Sequence, residues 1–222
     1  MSEPEFPLVH RLLRRIILGL LRLLCHLKVE GVEHVPAEGP LLLVSNHLHW
    51  LDTPVLGVTV PRRARVFAAR KWERRPIAGW VLRTLGNAIF VYRGEVDRQA
   101  LRKALAVLKD GGVLAMAPEG TRSDTGALQQ GKEGTAYLAA RTGVPLVPVV
   151  AYGQEKMFSS LLRGRRAEVH VIYGPPFALP STPGRVSKKQ LQEFTEQIML
   201  GLAAMLPPAY RGVYSVGKLV DR

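Results

Sequence analysis

Apolar and polar positions along this chain follow two alternating rhythms. Short apolar runs bounded by glycine, proline or charge stand at Pro40–Val44, Ala64–Ala69, Asn87–Tyr92, Val113–Ala117, Val144–Tyr152 and Glu168–Tyr173, and each reads as a strand. Between them lie segments spaced like helices with one buried face: Asp97–Lys109, stopped by Asp110-Gly111-Gly112, and Gly131–Thr142, stopped by Gly143. Ser187-Lys188-Lys189-Gln190 has the spacing of a capping box and opens a last helix that reaches Leu206 before Pro207-Pro208. Pro175–Val186, rich in proline, glycine and serine, predicts a surface loop before it. Strands alternating with helices predict an α/β domain.

The N-terminal stretch follows a different pattern. From Leu8 to Leu27 leucines recur at helical spacing, but Arg11, Arg14, Arg15 and Arg22 interrupt them, so the stretch never offers the ~20 apolar residues of a membrane span. On a helical wheel Leu12, Leu13, Ile16, Ile17, Leu20, Leu23, Leu24 and Leu27 share one broad arc, with the arginines and His26 opposite and Leu18 breaking the pattern. Such a helix either packs on its own domain or lies in a bilayer interface, leucines in the acyl region and arginines at anionic head groups. Those arginines, and the absence of a small-residue cleavage site, argue against a signal peptide.

Charge favours the interfacial reading. The chain of 222 residues carries 31 Lys and Arg against 18 Asp and Glu, a net charge of +13, with further clusters at Arg62–Arg75 and Arg163–Arg166. This also raises nucleic-acid binding as a rival. No helix-turn-helix, zinc-finger or ribonucleoprotein signature accompanies the charge, however, and the leucine-rich helix has no role in that reading. At 47% hydrophobic the chain suffices for one ordinary core. Cys25, the only cysteine, excludes an intramolecular disulfide and suits a reducing compartment.

The richest chemistry lies where the first apolar strand ends. In Ser45-Asn46-His47-Leu48-His49-Trp50-Leu51-Asp52 a carboxylate held against one imidazole nitrogen would leave the other to accept a proton, making His47 a general base oriented by Asp52. Five residues apart on a regular helix these side chains would diverge, so the pair requires a turn. Asp52-Thr53-Pro54 supplies one if it starts a helix, with Asp52 as the capping side chain. The spacing arises by chance often enough that other segments must support it. Support comes from Pro118-Glu119-Gly120-Thr121-Arg122-Ser123, an anion-suited loop after the Val113 strand, and from Arg93 at the end of the strand through Phe90. Two arginines at strand ends could clamp one phosphate, although either alone reads as a solvated side chain. No Cys, His or carboxylate cluster joins His47 and His49 at metal-ligand spacing. Gly126-x4-Gly131-Lys132 mimics a P-loop, but Glu133 stands where a hydroxyl must reach magnesium. No Gly-x-Ser-x-Gly elbow is present.

In order and spacing these segments resemble the glycerolipid acyltransferase family that includes 1-acylglycerol-3-phosphate O-acyltransferases. Asn46-His47 through Asp52 matches its first block; Gly86, Phe90 and Arg93 match the second; Pro118 to Arg122 is the third; Val147-Pro148 matches the fourth. His49 replaces a serine common in the family, which leaves the catalytic pair intact. The resemblance implies a mixed β-sheet flanked by helices, with residues 1–28 an N-terminal amphipathic membrane-docking helix and residues 29–222 the acyltransferase domain. It further implies acyl transfer from an acyl thioester to a lysophosphatidic-acid-type acceptor, with another lyso-lipid or glycerol 3-phosphate as alternatives. His47 and Asp52 would be catalytic; Arg93, Glu119, Gly120, Thr121 and Arg122 would place the acceptor phosphate; and Lys71 would lie near the reacting carbonyl. No bound cofactor or metal is implied, only acyl-CoA or acyl carrier protein as donor. The expected partners are the lysophospholipid acceptor, that donor and an anionic membrane surface, without nucleic acid, on the cytoplasmic face.

Overall fold

A computed structural model describes residues 8–91, 98–182 and 184–215. Helix α1 (Leu8–Leu24) leads into strand β1 (Cys25–Glu30), followed by β2 (Leu41–Ser45), α2 (Asp52–Thr59), β3 (Ala64–Ala69), α3 (Pro76–Gly86) and β4 (Ile89–Val91). The chain continues through α4 (Arg98–Lys109), β5 (Val113–Met116), α5 (Gly134–Thr142), β6 (Leu146–Tyr152), α6 (Met157–Leu161), β7 (Ala167–Tyr173) and α7 (Lys188–Met205). The described strands form one sheet in the order β1-β7-β6-β2-β5-β3-β4. Every neighbouring pair is parallel except β6 with β7, so the sheet is mixed, as the resemblance implied.

Alternation along the central strands divides the core in two. Leu42, Val44, Leu114, Leu146 and Val150 face α4, α5 and α7, while Leu41, Leu43, Val113, Val147 and Val149 face the layer holding α1, α2 and α6. Both faces of β2 are buried, which is why Leu41–Val44 reads as an unbroken apolar run. Parallel pairing of β2 with β5 and β6 brings the C-terminal ends of all three to one edge, where an open α/β sheet presents its site. The capping box at Ser187 and Gln190 forms as expected.

Three local readings change. The N-terminal helix ends at Leu24 rather than Leu27 because Cys25-His26-Leu27-Lys28-Val29-Glu30 pairs along β7, from Cys25 opposite Ala167 to Glu30 opposite Ile172. Strict apolar–polar alternation was the signal for that strand, masked by the leucine periodicity running into it. Helix α3 directly follows the basic run that ends at Arg75; Pro76 opens it and Asn87, at φ 41°, ends it. Asp52 is the first residue of α2, not its cap: Leu51 occupies that position and no side chain caps the helix. The Asp52 carboxylate is engaged elsewhere.

The leucine arc of α1 also divides. His10, Leu21 and the half-buried Ile17 and Leu18 turn to the core, whereas Leu8, Leu12, Ile16, Leu20 and Leu23 are exposed. Arg14 belongs to the inner side, its guanidinium donating to Val58 O (2.9 Å) and Val60 O (3.1 Å) at the end of α2. Arg11, Arg15 and Arg22 remain exposed beside the outer leucines. Packing on the domain and facing outward are therefore two faces of one helix. Among the described residues no helix is long and apolar enough to cross a membrane.

Candidate active site

Strand β2 delivers Ser45 to the sheet edge, and the next residues are locked by long-range hydrogen bonds. Asn46, fully buried, continues the ladder with its side chain: Nδ2 donates to Ala151 O and Oδ1 accepts from Ala151 N, both at 2.8 Å. This fixes the start of the turn against β6. From His47 to Leu51 the chain reverses, and the imidazole Nδ1 meets Asp52 Oδ2 at 2.8 Å. Against a carboxylate Nδ1 takes the N–H role, which leaves Nε2 as the acceptor.

Asp52 is buried and accepts from three directions. Besides His47, its Oδ2 accepts from His49 N (2.9 Å) and its Oδ1 from Gln154 Nε2 (2.6 Å). Those contacts hold one carboxylate orientation and through it one ring orientation. His49 contributes through its backbone N–H; its ring leans on Trp50 at 5.5 Å. Gln154 follows Gly153, whose φ of 93° and close approach to the Glu168 carbonyl leave no room for a side chain. A glutamine after a strand carries no distinctive signal, so neither it nor the role of Asn46 was legible in advance.

The Pro118–Ser123 loop joins this turn directly. Glu119 is buried, with Oε1 accepting from His47 N (2.8 Å) and Oε2 from Gln129 N (2.9 Å). Ser123 N in turn donates to His47 O (2.8 Å). Burial pushes the Glu119 carboxyl above its usual range, against the pull of those backbone donors. Glu119 thus ties His47 to the loop with both oxygens engaged inside the protein. Gly120, at φ 69°, lies under the side chain of Lys132: a β-carbon there would come within 3.3 Å of its Nζ. Lys132 N is anchored on Pro118 O (2.8 Å). Thr121 and Arg122 are half-exposed, and no hydrogen bond or ion pair joins the side chain of Arg122 or Lys132 to another described residue. In the sequence Lys132 stands out only as the lysine of a false P-loop.

Lys71 follows β3 at the same sheet edge, exposed, its Nζ 5.6 Å from the Trp72 ring centre. Arg93 lies outside the described residues.

His47 and Asp52 border a cavity of about 130 Å³ between the sheet and α2 and α3, lined by Leu56, Val66, Phe67, Leu85 and Met116 among others. Arg62 also lines it and donates to Pro36 O (3.0 Å), before β2 begins. The lining therefore reaches from the His47 turn to residues at the start of β3.

Residues 26–152 match the family model described as Acyltransferase. A chloroplastic 1-acyl-sn-glycerol-3-phosphate acyltransferase of Arabidopsis thaliana is 31% identical over 156 residues, covering 68% of this chain and 43% of that protein. A lyso-ornithine lipid O-acyltransferase of Pseudomonas aeruginosa is 30% identical over 187 residues, covering 74% and 70% respectively. Among solved structures, the 1-acyl-sn-glycerophosphate acyltransferase PlsC of Thermotoga maritima superposes with a TM-score of 0.66 at 26% identity, over 89% of this chain and 79% of that one. The chain spans less than half the length of the plant relative.

Proposed function

The chain belongs to the acyltransferase family, and on that premise we propose that it moves a fatty acyl group from a thioester to the free hydroxyl of lysophosphatidic acid, giving phosphatidic acid. The observation carrying this reading is the His47–Asp52 pair at the mouth of an apolar cavity, tied by Glu119 and Ser123 to a loop bearing Arg122. His47 Nε2 takes the proton of the acceptor hydroxyl as its oxygen attacks the thioester carbonyl. Asp52 stabilises the imidazolium, and the thiolate leaves as the tetrahedral intermediate collapses. The acyl chain lies in the cavity of Leu56, Val66, Phe67 and Leu85. Arg122 and Lys132, whose side chains pair with no described residue, stand ready for the acceptor's phosphate, with Thr121 and the Gly120 backbone beside them and Arg93 and Lys71 as further cations. Glu119 shapes this site from behind.

The test is a difference between acceptors. Arg122→Ala should raise KM for lysophosphatidic acid about tenfold or more, the effect of losing a charge-assisted contact, while leaving KM for acyl-CoA and the weak reaction with monoacylglycerol nearly unchanged. Arg122→Lys should recover part of the loss, since it restores charge without the planar fork. Equal losses on phosphorylated and unphosphorylated acceptors would transfer the assignment to another lyso-lipid, as in the name of the Pseudomonas relative.

In the same reading α1 lies on an anionic membrane with Leu12, Ile16, Leu20 and Leu23 in the acyl region. Replacing Arg11, Arg15 and Arg22 by glutamate should move the protein from anionic vesicles into the supernatant. Arg14 is left in place because its guanidinium closes α2. Undiminished sedimentation would confine α1 to its packing role.

A further inference from the structure

The apolar surface of this chain extends beyond α1. Trp50, in the catalytic turn, is 50% exposed; Phe158 is 50% and Leu162 90% exposed. Single exposed apolar side chains are ordinary, but these three are gathered. The rings of Trp50 and Phe158 stack with centres 6.0 Å apart, and Leu162 comes one turn after Phe158, on the same side of α6. The other side of that helix is committed to the core through Met157 and Leu161. Arg163, Arg165 and Arg166 follow at once, all exposed.

The chain that leaves this patch reaches the C-terminal end of α1. The Arg166 guanidinium donates to the carbonyls of Arg22 and Cys25 at the end of α1, next to the exposed Leu20 and Leu23. α1, α2 and α6 pack in the same layer on one face of the sheet. An exposed tryptophan beside arginines has the chemistry of a bilayer interface, where the amphipathic indole sits at head-group depth and guanidinium groups meet anionic lipid.

We propose that Trp50, Phe158 and Leu162 form a second membrane anchor. Together with α1 it inserts at the head-group boundary of an anionic bilayer and holds the mouth of the His47 site against the lipid. This rests on reading α1 as an interfacial helix and adds where the catalytic turn faces. Two separated contacts fix orientation as well as attachment, and an acceptor resident in the leaflet then reaches His47 without leaving it.

The experiment uses the full chain carrying Trp72→Phe and Trp80→Phe, which leaves Trp50 as its single tryptophan. On adding phosphatidylcholine–phosphatidylglycerol vesicles, Trp50 emission should shift to the blue, and lipids brominated near the top of the acyl chain should quench it. In the unmodified chain, Phe158→Asp with Leu162→Asp should weaken partitioning about tenfold or more with an unchanged circular dichroism spectrum. Sedimentation with vesicles while Trp50 stays unshifted and unquenched would overturn the second anchor and leave α1 as the sole contact. Failure of the unmodified chain to sediment would remove both. A blue shift that tracks protein concentration without vesicles would give the patch to a second copy of the chain and also overturn the proposal. Acyl transfer to a water-soluble short-chain acceptor reports on the catalytic reading independently of all three outcomes.

Discussion

Replacing His47 by alanine should leave acyl transfer at background in a protein that still folds. The ring is partly exposed, and its one strong side-chain contact is Nδ1 to Asp52 Oδ2 at 2.8 Å, whereas the turn is held by backbone groups: His47 N on Glu119, His47 O under Ser123, and the Asn46 carboxamide on Ala151. Truncation should therefore remove the proposed proton acceptor and spare the scaffold. General-base help is worth about 10²–10⁴-fold, and a variant retaining more than about a tenth of wild-type kcat would assign proton removal to another group. Asp52→Asn is nearly as severe for a different reason. An amide has one acceptor oxygen, while the position is approached by donors from His47, His49 and Gln154. Its NH₂ must face one of them, and if that one is His47 the ring is held in the tautomer that cannot accept the substrate proton. Loss of melting temperature alongside loss of kcat in Asp52→Asn, with His47→Ala keeping the wild-type value, is the expected pattern.

Glu119→Gln should lower stability and activity together. The carboxylate bridges two backbone donors, His47 N and Gln129 N, and glutamine can satisfy only one while turning its own N–H groups on the other. One mismatched buried donor costs about 1–3 kcal/mol, or roughly 3–10 °C in Tm for a domain of this size, and His47 loses part of its backbone anchor. The pH dependence has a definite sign. Burial holds the folded-state pKa of Glu119 above its unfolded value, so its contribution to stability is fully present below the unfolded value near 4.5 and declines as pH rises through the folded one. Wild type should thus lose this component of stability as pH rises above the unfolded value, and Glu119→Gln should not. Thermal melts of both proteins across that range measure the difference. A Glu119→Gln protein as stable as wild type, with a raised KM for the acceptor alone, would return Glu119 to direct substrate contact.

Strand–helix alternation, the capping box at Ser187, the loop position of His47 and its pairing with Asp52 were all legible in the sequence. These depend on neighbours a few residues away, where periodicity, turn residues and caps report directly on conformation. It also brought Pro118–Ser123 into the site, through the resemblance. Which groups stand behind the His47–Asp52 pair came from packing. Glu119 meets His47 across 72 positions and Gln154 meets Asp52 across 102, and no local pattern encodes such contacts. Sheet order decides them, because parallel pairing of β2 with β5 and β6 brings three strand ends to one edge. The same holds for α1: the wheel identified the apolar arc, but α2 decided which part of it faces inward, drawing Arg14 with it. Patterns along the chain record which residues avoid water; packing settles which surface covers each of them.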